Sequence, residues 1–180
     1  MDCTASKRRE FSPLGRQVGE LLLAQGLSVS AAESLTGGTI ASMLAQIAGS
    51  SAYFKGSVTS YAVSVKQEVL GVDTELEGVV SESTARQMAQ GVAALLRTDC
   101  AVATTGIAGP GGAEPGKPVG TVCMAALVKR PTSGDNQSLT VSLRSQTCHF
   151  DGDREEVILQ SADAALSLLK EMLQENTEKL

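Results

Sequence analysis

The chain has 180 residues, enough for one domain with a full core, and its 42% hydrophobic and 19% charged residues are ordinary for a folded globular protein. A net charge of −5 with only 3% aromatic residues argues against a nucleic-acid binder, because neutralising phosphate takes clustered Lys and Arg. There is no tryptophan, so the core must be built from Ala, Val, Leu and Ile.

Residues 1–11, with the basic run Lys7-Arg8-Arg9, read as a flexible solvated tail, and residues 12–176 as one domain. "SPLGRQVGELLLAQG" opens that domain as a helix: Ser12 suits the N-cap, Pro13 the first helical position and Gly26 the stop. "LSVSAA", residues 27–32, reads as a short strand. Thr36 to Ile47 is helical in pattern and ends at Gly49. "AYFKGSVTSYA" is β-rich, with Tyr61 near its end. "SVKQEVLG" reads as a short helix, with Ser64 as its cap and Gly71 as its stop. "VSESTARQMAQGVAALLRT" is the clearest helix, capped by Ser81, with Glu82 favourably placed in its first turn and Ala85, Met88, Val92 and Leu95 as its apolar stripe. A buried strand is expected over 100–105. The glycine- and proline-rich "GIAGPGGAEPGKPVG" can only be a loop. "TVCMAALVK" and "SLTVSLRSQTCHF" then form a hairpin across the turn "RPTSGDNQ". From Asp153 onward one long helix presents Ile158, Ala162, Ala165, Leu166, Leu169 and Leu173 to the core.

Strands interleaved with helices, closed by a hairpin, predict a three-layer α/β/α domain around a mixed, largely parallel sheet. Met43, Met88 and Met124 read as core. Cys100 and Cys123 lie in apolar runs and read as small buried hydrophobes; no C-x-x-C pair occurs, and His149 is the single histidine, so a zinc site is not expected. No apolar run approaches a membrane span and no signal peptide is visible, so a reduced, cytoplasmic protein without membrane partners is expected.

In open α/β sheets ligands bind beyond the carboxyl ends of strands. Three segments fall there: "ESLTGG", "SYAVSVK" and "GIAGPGG". Ser34 lies between strand and helix, where backbone amides can hold an oxyanion or a phosphate. A serine nucleophile needs a base. No G-x-S-x-G occurs, and the one S-x-x-K match, Ser167 to Lys170, lies in the last helix. Lys66, beside Tyr61 at a strand end, is the alternative base, useful only if burial or a cationic neighbour lowers its pKa. On chemistry alone Ser34 and Thr36 read first as helix caps, Lys66 as a solvated lysine, Tyr61 as a packing residue and His149 as structural. The residues by themselves leave a phosphate-binding serine hydrolase and a nucleotide-binding module both open.

Six segments in register, "AAESLTGG", "AGSSAYFKGSVTSYAVSVKQEVLGV", "VVSESTARQMAQG", "TTGIAGPGG", "KPVGTV" and "FDGDREEV", resemble the CinA C-terminal domain family, the nicotinamide-nucleotide amidases. The resemblance runs from about Leu14 to the last helix. It implies hydrolysis of the carboxamide of nicotinamide mononucleotide to nicotinic acid mononucleotide and ammonia, with no metal and no cofactor. The family's nucleophilic serine falls on Ser34, within a motif that supplies Glu33, Thr36, Gly37 and Gly38. Its tyrosine and lysine fall on Tyr61 and Lys66, its second serine on Ser51, the threonine before G-I-A-G-P on Thr105 and its arginine on Arg154. The expected roles are Ser34, Lys66 and Tyr61 in catalysis, with amides around Thr36, Gly37 and Gly38 and the Ser51 hydroxyl at the oxyanion. The loop from Gly106 through Gly109 to Gly112, with Arg154, is expected to hold ribose or phosphate. Two departures stand out. Leu35 replaces the family's usual cysteine, which favours Ser34 as nucleophile, and Ala62-Val63-Ser64 replaces a polar S-N-E stretch, which raises the alternative of a catalytically silent nucleotide-binding module; an amidase acting on a related nucleotide through the same Ser34 and Lys66 is a further alternative. The resemblance also implies a stand-alone amidase that forms a homo-oligomer, a dimer being favoured.

Overall fold

A computed structural model describes residues 12–132 and 135–175. The expected tail at 1–11 lies outside the described residues, as do Ser133 and Gly134 of the expected hairpin turn. The elements in chain order are α1 (Pro13–Gln25), β1 (Val29–Glu33), α2 (Thr39–Ala45), a 3-10 turn (Ser50–Ala52), β2 (Phe54–Thr59), α3 (Val63–Leu70), α4 (Glu82–Leu95), β3 (Cys100–Gly106), β4 (Thr121–Thr132), β5 (Asp135–His149) and α5 (Arg154–Gln174).

The strands form one sheet in the order β2-β1-β3-β4-β5. β1 pairs parallel with both β2 and β3, while β4 runs antiparallel to β3 and β5 to β4. Four of the five strands therefore point one way, and β4 alone runs against them. β1 sits between β2 and β3 and is buried along its whole length, which is why Val29 to Ala32 are all small or apolar.

Alternation along β4 shows how the two cores divide. Val122, Met124, Ala126 and Val128 face a cluster with α1, α2 and α5; Cys123, Ala125 and Leu127 face another with α3 and α4. Alanines on the three inner strands, at Ala31, Ala32, Ala101, Ala103, Ala125 and Ala126, let the helices seat close to the sheet. Two glycines take this further. A Cβ on Gly15 would lie 2.3 Å from the Met43 carbonyl oxygen, and one on Gly91 would lie 2.2 Å from that of Leu70, so α1 meets α2 and α4 meets α3 nearly backbone to backbone.

The caps explain several boundaries. Ser12 Oγ accepts the Gly15 N–H, Ser81 Oγ accepts the Thr84 N–H, and Asp153 and Glu156 form a reciprocal capping box at the head of α5. Four expectations need correction. α2 starts at Thr39 rather than Thr36, because Gly37 and Gly38 adopt φ of +58° and +108°, left-handed values that no helix continues through. α3 is capped at Ala62 without a side-chain bond, and Ser64 lies inside it, exposed. Leu95 does not join the apolar stripe of α4 and is half exposed. The strands β4 and β5 run through most of the segment expected to turn, with pairing out to Thr132 and Asp135. Met43, Met88, Met124, Cys100 and Cys123 are all buried, as expected. Among the described residues no helix is long and apolar enough to cross a membrane.

Candidate active site

Because β2, β1 and β3 are adjacent and parallel, the segments after them meet at one edge of the sheet. Ser34 follows β1, Ser60 and Tyr61 follow β2, and the glycine loop follows β3. Ser34, Tyr61 and the glycine loop line a cleft of about 380 Å³ with Lys66 and Arg154.

At its floor Lys66, only 1% exposed, reaches from α3. Its Nζ donates to Ser34 Oγ at 2.9 Å and to the Ser60 carbonyl at 2.6 Å. Among the described residues no carboxylate forms an ion pair with it. Burial therefore pushes the Lys66 ammonium below its ordinary pKa, with no anion to offset the lost hydration. In the neutral form one N–H still bonds the Ser60 carbonyl, and the lone pair is free to take the Ser34 proton across the same 2.9 Å contact.

Ser34 is held by its backbone. Its N–H donates to the Thr104 carbonyl at 3.0 Å, extending the β1–β3 ladder by one rung, and its own carbonyl accepts the Gly37 N–H at 3.1 Å. The chain turns sharply over residues 34–38, and Thr36 Oγ1 shares a 2.8 Å hydrogen bond with Thr104 Oγ1 beneath the turn.

The acceptors in this turn correct the expected oxyanion donors. The Gly37 N–H is already spent on Ser34, and the Gly38 N–H donates to Glu33 Oε2 at 3.0 Å. The Leu35 and Thr36 N–H groups make no hydrogen bond to an acceptor among the described residues. The amides left for an oxyanion are thus the two that directly follow the serine. Glu33 is likewise unavailable to a ligand. It is fully buried, and its carboxylate accepts from Gly38, Ile40 and Ala41, the last at 2.8 Å.

The remaining expected residues divide. Thr105 lines the cleft and donates to the Val79 carbonyl at 2.8 Å, which fixes Val79 and Val80 as a wall. Gly106 and Gly109 line it too; a Cβ on Gly106 would meet the Thr121 carbonyl oxygen at 2.6 Å, and one on Gly109 the Val119 side chain at 2.6 Å. Arg154 donates to the Gly109 carbonyl at 2.6 Å and to the Tyr61 hydroxyl at 2.8 Å, so it ties the head of α5 to both rims. Tyr61 is 59% exposed, and its hydroxyl is engaged by Arg154 rather than by Ser34 or Lys66. Gly37 and Gly38 open instead onto a neighbouring cleft, shared with Arg154 and Ile158. Ser51 is not brought in. It is exposed on the 3-10 turn before β2, and the six residues of that strand separate it from the site by about 20 Å. Ala62, Val63 and Ser64 are exposed to solvent and line neither cleft. His149 pairs with Asp151 at 3.7 Å and is likewise absent from both clefts. Sequence reading missed the Ser60 carbonyl and the Val79-Val80 wall. Nothing in residue type marks a backbone acceptor, and the wall is set by one long-range bond.

A three-layer α/β/α domain carrying a buried serine–lysine pair at the carboxyl edge of its parallel strands is thus the class that fold and site define. Residues 12–173 match the CinA C-terminal domain, and the chain belongs to that family. It is 43% identical over 164 residues to a CinA-like protein of Chloroherpeton thalassium and 42% identical over 171 residues to one of Mycolicibacterium gilvum, covering 89% and 92% of this chain. The chain spans 37% and 38% of the length of those two relatives. Among solved structures, the competence/damage-inducible protein CihA of Agrobacterium tumefaciens aligns with a TM-score of 0.76 at 39% identity, covering 89% of this chain and 93% of that one. A CinA superfamily protein of Klebsiella pneumoniae aligns with a TM-score of 0.78 at 32% identity, covering 90% and 96%.

Proposed function

We propose that this chain is an amidase that hydrolyses the carboxamide of nicotinamide mononucleotide by a serine–lysine mechanism, using no metal and no cofactor. The observation that carries the reading is the 2.9 Å contact between Ser34 Oγ and the buried, carboxylate-free Lys66 Nζ. Neutral Lys66 takes the Ser34 proton as the serine oxygen bonds to the amide carbon. The carbonyl oxygen gains the negative charge, next to the unspent Leu35 and Thr36 N–H groups. The tetrahedral adduct collapses as the Lys66 ammonium gives its proton to the leaving nitrogen, and ammonia departs. Water then attacks the ester with Lys66 as base, releasing the carboxylic acid and Ser34. Arg154, at the mouth of the cleft, supplies a fixed positive charge for the nucleotide's anionic portion.

The places of the two departures favour catalysis over a silent binding module. The Ala62–Ser64 departure faces solvent, and the leucine that replaces the family's cysteine, Leu35, is buried beside an intact Ser34–Lys66 contact. The test is ammonia release from nicotinamide mononucleotide by wild type and Ser34→Ala. Release that is lost in the variant supports the reading. A wild-type protein that binds the nucleotide and releases no ammonia overturns it.

A further inference from the structure

The N-terminus of a helix that follows a strand is a ready anion site, and a turn containing Gly37-Gly38 invites the idea that a substrate phosphate sits there. In this chain the place is taken by the protein's own carboxylate. Glu33 Oε2 accepts the N–H groups of Gly38 and Ile40, both at 3.0 Å, and Oε1 accepts that of Ala41 at 2.8 Å. Counting the Thr39 N–H, which donates to the Thr36 carbonyl, every amide from Gly37 to Ala41 is satisfied inside the chain. Glu33 is completely buried, yet no lysine or arginine pairs with it among the described residues; its charge is balanced by these three amides and the dipole of α2.

We propose that Glu33 is a positioning residue for the reaction centre, an internal anion that fixes the Ser34–Gly38 turn and so aims the Leu35 and Thr36 amides. The inference rests on the amidase reading for its kinetic arm only. The turn has two fixed ends, Ser34 pinned to β3 through the Thr104 carbonyl and Gly38 pinned to Glu33, with one side-chain tie between them from Thr36 Oγ1 to Thr104 Oγ1. Five residues span them, two of them glycines in left-handed conformations that offer no stiffness of their own. Without the carboxylate clamp, the Gly38 end is free to rotate and the two unspent amides lose their aim. Glu33→Gln keeps the shape but sets an N–H₂ against one or more of the backbone donors, which cannot accept a hydrogen bond.

The experiment labels Ser34 with a fluorophosphonate and follows the added mass in Glu33→Gln, with Ser34→Ala as the blank. This readout does not depend on the natural substrate. Steady-state kinetics on nicotinamide mononucleotide run alongside. Leu173→Ala, a core truncation at the far end of α5, serves as a variant that is destabilised without touching the turn. The expected result is a labelling rate at least tenfold slower in Glu33→Gln at a temperature well below its unfolding midpoint. A matching fall in kcat with KM within about twofold is expected, and Leu173→Ala should label at the wild-type rate. Wild-type labelling in folded Glu33→Gln overturns the proposal, and so does equal slowing in Leu173→Ala. If Glu33→Gln does not fold, Glu33→Asp decides: it keeps the charge but draws it back by one methylene, and the same slowing is expected. Labelling that behaves as expected while wild type releases no ammonia leaves Glu33 in place and removes the amidase reading.

Discussion

Replacing Lys66 by methionine separates what the amine does for chemistry from what it costs the fold. Methionine follows the lysine side chain as far as Cε, stops one atom short of Nζ, and carries no charge. Lys66 is 1% exposed, its acceptors are one hydroxyl and one carbonyl, and among the described residues no carboxylate balances it. Removing a general base typically lowers turnover by about 10²–10⁴-fold, and that loss in kcat is expected here. Stability should move the other way. The folded chain holds Lys66 at a lowered pKa, whereas the unfolded chain lets it titrate normally near 10.5. Between those two values the unfolded state binds more protons, so wild-type stability rises with pH across that window. Below the lowered value the penalty for burying the ammonium is fully present; above 10.5 it is gone. Lys66→Met should therefore unfold at a higher temperature than wild type near neutral pH, with the advantage shrinking as pH approaches 10.5. Thermal unfolding at several pH values, with circular dichroism as the probe, checks this. A variant less stable than wild type at every pH would show that the two hydrogen bonds outweigh desolvation and would remove the argument for a neutral lysine. The wild-type amidase rate should also rise with pH through the lowered Lys66 value, because only the free amine accepts the serine proton.

Tyr61→Phe should leave kcat within about twofold and raise KM, since the hydroxyl bonds Arg154 and not the serine–lysine pair; a fall of about 10²-fold or more in kcat would restore a proton-relay role. Gly91→Ala places a Cβ 2.2 Å from the Leu70 carbonyl at the end of the helix that carries Lys66. Overpacking should cost about 1–3 kcal/mol in chemical denaturation, against about 1 kcal/mol gained in helix propensity, and activity should fall with it. Ser51→Ala should change neither kcat nor KM, because the residue is exposed at the opposite end of β2; an altered kcat would place Ser51 in a site assembled from more than one chain.

The layers were legible because they rest on period and punctuation. The strand after α1, the buried strand at β3, the caps at Ser12 and Ser81 and the stops at Gly26 and Gly71 are all written in local residue type. Ser34, Lys66, Thr105 and Arg154 were legible through resemblance, and their convergence follows from parallel neighbouring strands. What could not be read was allocation. Glu33, Gly37 and Gly38 look like ligand groups in sequence, yet their hydrogen-bonding capacity is consumed within the turn, a matter of three-dimensional competition for donors. The partner of Tyr61 was hidden for the same reason, its hydroxyl being claimed by an arginine 93 residues away in sequence. The boundaries of α2 and of the hairpin moved because conformation at two glycines and long strand pairing outrank composition.

The buried acid and the buried base lie on opposite faces of the sheet. Glu33 faces α2 and Ser34 faces α3, so the single-strand thickness of β1 works as an electrical partition. Consecutive residues of a strand always face opposite ways, which makes the partition a matter of parity. Adding or deleting one residue within β1 would turn the glutamate toward Lys66. The two would form a closed ion pair, the lysine would stay protonated, and the proton acceptor would be silenced by a change that leaves every reactive side chain present.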